Sequence, residues 1–87
     1  NMKFTAYTKN GCPQCDQAKA LLNALKKDYQ EVYVAAGIVR GLNGMLASDF
    51  TSKYPDVRMM PYIEVTDSNG ATEVVGTLQN LRKYLEG

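Results

Sequence analysis

The chain has no histidine and no tryptophan, and only two cysteines among its 87 residues. Without imidazole, Cys-His proteases, Cys2His2 zinc sites and every histidine-based acid-base mechanism are excluded. Charge of one sign is missing too, since 10 basic and 9 acidic residues leave a formal charge of +1. No basic stripe is present to follow a phosphate backbone, so neither nucleic acid nor an anionic membrane surface is expected as a partner. Apolar runs stop after a few residues, too short for a membrane span, and a charged strand stands where a signal peptide would carry its apolar core. A cytoplasmic location is expected. Asn1 precedes Met2, so Met2 reads as the natural start and Asn1 as an added residue.

What is present is Cys12-Pro13-Gln14-Cys15 at the junction of a strand and a helix. Lys3 to Thr8 alternates polar with apolar residues and is rich in aromatic and β-branched types, which predicts a strand. Ala18, Leu21, Leu22, Leu25 and Tyr29 then fall at helical spacing, with charged and amide residues between them. A structural disulfide is a poor reason for such a short loop, because closing four residues removes little entropy compared with the ~3 kcal/mol available to a loop of about 15. A metal site would need ligands from a second molecule. Redox chemistry is the reading that remains.

Glu31 to Ala35 predicts a second strand, and the glycine-bearing stretch Ala36 to Gly44 a loop. Asn43 is expected to cap a second helix carrying Leu46, Ala47, Phe50 and Tyr54, stopped by Pro55. Tyr62 to Thr66 and Thr72 to Val75, joined by Asp67-Ser68-Asn69-Gly70, predict a hairpin. Thr77 can cap a last helix with Leu78, Leu81, Leu85 and Tyr84 inward. The order β-α-β-α-β-β-α gives one α/β domain over residues 1–87, a four-stranded mixed sheet flanked by three helices, expected to be a monomer.

Only a thiolate attacks a disulfide, and an unperturbed cysteine with pKa near ~8.5 is mostly protonated at neutral pH. Lowering that pKa by about 2 units needs roughly 2.7 kcal/mol of preference for the anion, whereas a helix end supplies ~0.3–1 and at most about 2. Cys12, at the helix start, is read as the nucleophile, helped by the amide donors of Gln14 and Cys15 and by the charge of Lys9. Pro13 starts the helix, since its missing N–H would have had no partner. Cys15 is read as the resolving thiol, Gln14 as tuning access and potential, and Tyr7 as part of the rim of the site.

The segment Tyr7-Thr8-Lys9-Asn10-Gly11-Cys12-Pro13-Gln14-Cys15 resembles the active site of glutaredoxins, small dithiol members from bacteria and bacteriophages above all. The resemblance covers nearly the whole chain and implies a thioredoxin-like fold. It implies a cis Pro61 beside the cysteines, with the backbone of Met60 pairing with an extended thiol substrate such as glutathione. It further implies glutathione as reductant, no tightly bound cofactor and no metal, and protein disulfides or glutathione mixed disulfides as substrates, ribonucleotide reductase among the clients. At the last helix the chain departs from the family's Gly-Gly-acid pattern: Gly76 matches the first glycine, Thr77 replaces the second, and Gln79 with Asn80 stands at the acidic positions. Backbone donors there can still hold a carboxylate. Arg40 and Lys53 could reach the second carboxylate, although solvent-facing charge accounts for each. Two alternatives stay open: a redoxin reduced by thioredoxin reductase, against which the absence of tryptophan counts, and an iron-sulfur binding module, against which Pro13 and Cys15 count.

Overall fold

A computed structural model describes all 87 residues. In chain order the elements are β1 (Lys3–Thr8), α1 (Pro13–Ala24), β2 (Tyr29–Ala35), β3 (Gly44–Leu46), α2 (Ala47–Lys53), β4 (Tyr62–Thr66), β5 (Thr72–Gly76) and α3 (Leu78–Glu86). The sheet runs β3-β2-β1-β4-β5. β1 and β2 pair in parallel across α1, with Thr8 opposite Tyr33, while β4 runs antiparallel to β1, with Tyr7 opposite Tyr62. The start of α1, the end of β2 and the start of β4 therefore share one end of the sheet.

Alternation along β1 divides the interior in two. Phe4 and Ala6 face α1 and α3 and join Ala18, Leu22, Ile63, Val65, Leu78 and Leu81 in the larger cluster. Tyr7 faces the other way and packs with Val34 and Phe50 under α2. In the hairpin the Asp67 carboxylate accepts from the amides of Asn69 and Ala71 at 2.9 and 3.0 Å, and Gly70 takes the left-handed conformation (φ +85°) that closes the turn.

The sheet has five strands where the sequence pattern suggested four. The additional β3 pairs in parallel with β2 from Tyr33–Gly44 to Ala35–Leu46. It is three residues long and begins on a glycine, so it offers no alternation to read. Asn43 is consequently not a helix cap: its side-chain amide donates to the Glu31 carbonyl oxygen, and its own carbonyl accepts from the Tyr33 N–H. α2 starts later than expected, after Leu46, which makes no side-chain cap bond. α1 also ends early, at Ala24, because Lys26 turns left-handed (φ 54°). That leaves Leu25 half exposed and sends Tyr29 into β2, two residues ahead of the expected start at Glu31.

Candidate functional site

Cys12 is the N-cap of α1 and Pro13 its first helical residue. Cys12 and Cys15 form a disulfide with Cα atoms 5.2 Å apart. The Cys15 N–H donates to Cys12 Sγ at 3.1 Å, and the Asp16 N–H to the Cys12 carbonyl at 3.2 Å. The positive end of the helix is thereby directed at one sulfur, that of Cys12. Cys15 is 1 % exposed and Cys12 9 %, so the outer of the two is also the one with the donor.

Cys12 Sγ lies 3.7 Å from the carbonyl oxygen of Met60, two residues before β4. The Met60–Pro61 peptide is cis. Pro61 is buried and borders a cleft of about 240 Å³ whose other walls include Gly76, Thr77, Asp56 and Arg58. A second cleft, about 210 Å³, opens on the α2 side of Met60 and carries Lys9 and Arg58 on its rim above Val34, Phe50 and Val57. A third, polar, of about 380 Å³, holds both cysteines together with Thr8, Lys19 and Glu31.

The sequence-predicted residues divide accordingly. Cys12, Pro13, Cys15 and Lys9 line the polar cleft, and Lys9 reaches the Met60 cleft as well. Gln14 is half buried, with its amide oxygen enclosed and without a protein partner. Tyr7 does not belong to the rim. It is 8 % exposed and packs on the α2 face against Phe50, Tyr54 and Tyr62, with ring centres 5.3, 5.4 and 5.8 Å away. Its hydroxyl donates to Tyr54 (3.1 Å), which donates to Glu64 (3.3 Å), and Tyr62 donates to the other Glu64 oxygen (3.3 Å). Burial, chiefly, pushes the Tyr7, Tyr54 and Tyr62 hydroxyls above the usual tyrosine range.

Thr77 caps α3: its hydroxyl receives the Asn80 N–H (3.4 Å), and the Asn80 amide oxygen receives the Thr77 N–H (3.0 Å). The N–H groups of Leu78 and Gln79 are left as the open donors of that helix end. Gln79 itself is exposed and is not part of the cleft wall. Gly76 has φ +113°, and a Cβ there would run into the Asn80 side chain, so the glycine is what allows the cap to close against β5. Sequence reasoning missed Asp56, Arg58 and Glu31, charged residues in loop or strand whose neighbourhood only the fold creates. Arg40, on the exposed turn after β2, lines none of these three clefts.

Residues 4–42, which include all of β1 but its first residue, the cysteine pair, α1 and β2, match the family model of glutaredoxin. The crystal structure of glutaredoxin 1 from Francisella tularensis, complexed with cacodylate, superposes with a TM-score of 0.71 at 22 % identity, covering 99 % of this chain and 94 % of that one. No curated protein sequence matches the chain.

Proposed function

We propose that this chain, of glutaredoxin type in residues 4–42 and in the fold of its whole length, takes its electrons from glutathione and delivers them to protein disulfides or glutathione mixed disulfides. As a thiol-disulfide oxidoreductase it passes two electrons through Cys12 and Cys15. The observation that carries the glutathione reading is the position of Cys12 Sγ, 3.7 Å from the carbonyl oxygen of Met60, in a segment (Met59 to Pro61) that borders two clefts with charged walls. A peptide laid along Met60 brings its sulfur to Cys12.

Glutathione offers two carboxylates and one amine. On one side of Met60, Lys9 and Arg58 can receive the glycyl carboxylate, although one Arg58 nitrogen already serves the Pro55 carbonyl at 2.6 Å. On the other, the open N–H groups of Leu78 and Gln79 suit the γ-glutamyl carboxylate. The amine finds no acid in the first turn of α3, but Asp56 borders the same cleft. Ribonucleotide reductase is a client suggested by the resemblance, and a reducing compartment such as the cytoplasm is the setting this chemistry needs.

The test is reduction of the oxidised protein by glutathione with glutathione reductase, run beside thioredoxin reductase with NADPH. Reduction by the first system is expected, with a KM for glutathione that rises in Asp56→Asn and in Lys9→Ala. Reduction by thioredoxin reductase alone would overturn the reading.

A further inference from the structure

The geometry that activates Cys12 does nothing for Cys15. The helix-end donor points at the Cys12 sulfur, while Cys15 is 1 % exposed beneath the first turn of α1. A thiol in such a place keeps its proton. Yet the resolving step has to remove it. Cys15 Sγ bonds to Cys12 Sγ, the bond from Cys12 Sγ to the substrate sulfur breaks, and the substrate leaves as a thiolate with the electron pair. The cysteines are oxidised, the substrate is reduced, and one proton must leave Cys15.

The polar cleft holds two carboxylates besides Cys15, those of Asp16 and Glu31. Asp16 is exposed on the first turn of α1 and has no side-chain partner in the protein. Glu31 is fixed: its Oε2 accepts from the Thr8 hydroxyl at 2.6 Å and from Lys19 Nζ at 3.1 Å. Both tethers line the same cleft as Cys15. Thr8, 1 % exposed, continues the row of Phe4 and Ala6 that runs under α1, and Lys19 lies one helical turn beyond Cys15. Glu31 Oε1 makes no hydrogen bond to the protein and is left for water in the open cleft. The charged or titratable groups around it are Lys19 and Asp16 of α1, Lys9 after β1 and Tyr33 of its own strand.

Resting on the reading of Cys15 as the resolving thiol, the geometry points to Glu31 as the acceptor of the Cys15 proton, through water in this cleft. The pair with Lys19 and the bond from Thr8 hold the carboxylate in place. The proton then passes to solvent at the cleft mouth.

Stopped-flow mixing of the reduced protein with 5,5′-dithiobis(2-nitrobenzoate) separates the steps, because the first thionitrobenzoate released reports attack by Cys12 and the second reports resolution by Cys15. In Glu31→Gln the first phase is expected to keep its wild-type rate. The second should slow about tenfold or more near pH ~6–7, within or below the 10²–10⁴ range of general-base effects, and the gap should close above about pH 9. Glu31→Asp should recover most of the rate, and formate should accelerate the second phase of Glu31→Ala. A second phase unchanged in Glu31→Gln, or slowed by the same factor at every pH, would overturn the assignment. A fast first phase that survives in Cys12→Ser would instead refute Cys12 as nucleophile, which keeps the two failures distinct.

Discussion

The backbone N–H of Cys15 sits 3.1 Å from the sulfur of Cys12, so each member of the pair has a different relation to the helix that carries it. One sulfur receives the donor and the other lies behind it. In a Cys15→Ser variant the backbone donor persists, and Cys12 should ionise below the ~8.5 of a free cysteine. Thiolate absorbance near 240 nm should titrate below neutrality, and iodoacetamide should label the variant rapidly at about pH 6. A Cys12 that titrates above pH ~8.5 would show that the helix end does not activate it.

Gly76 takes φ +113° with the Asn80 side chain over the place a Cβ would occupy. Gly76→Ala should therefore destabilise the fold by about 1–3 kcal/mol, read from the urea midpoint. Gly37, which has open space and no left-handed φ, is the control. Gly37→Ala should leave the midpoint where it is or raise it slightly.

The hydroxyl chain Tyr7–Tyr54–Glu64 ends on a carboxylate that Tyr62 also holds. Tyr54→Phe removes the middle link and leaves the Tyr7 hydroxyl, in a residue 8 % exposed, without a partner. A loss of about 1–3 kcal/mol is expected, with disulfide exchange at Cys12 unaffected. Equal stability of the variant and the parent would show that water replaces the link.

The same three tyrosines set the alkaline limit. Their folded pKa values are raised, first by burial, so the folded state binds more protons than the unfolded chain once the pH exceeds the ordinary tyrosine value of 10.0. Stability from this source is complete below that value and declines as the pH rises beyond it. Absorbance at 295 nm should show these tyrosinates appearing late, together with loss of the folded circular-dichroism signal. Early, reversible ionisation of all six tyrosines with the fold intact would contradict this.

Much of this architecture is legible in residue order because local and tertiary preferences agree there. Thr77 caps α3, Asp67 to Gly70 turns the hairpin, and Pro13 opens α1, each by chemistry contained within a few residues. Two of the misses, β3 and the setting of Glu31, share one cause, which is that the deciding partner lies far along the chain. β3 exists because the β2 backbone, some ten residues earlier, offers it an edge. Tyr7 was legible in principle, since Phe4 and Ala6 pack under α1 and an odd-numbered neighbour on the same strand must face α2. Helical spacing carried through Leu25 and Tyr29 only on paper, as the left-handed Lys26 intervenes. Glu31 meets Thr8 and Lys19 only once β1, α1 and β2 are assembled.

Met60, which stands against the Cys12 sulfur, packs with Tyr7, Val34 and Phe50 under α2, whereas α1 with its cysteines is anchored by Ala18 and Leu22 to the opposite side of the sheet. If substrate lies along Met60 as proposed, reactivity and choice of client are mounted on separate foundations. Drift among the aromatic residues beneath α2 can re-aim the Met60 rail and change which molecules dock, while the acidity of the attacking sulfur stays as it was.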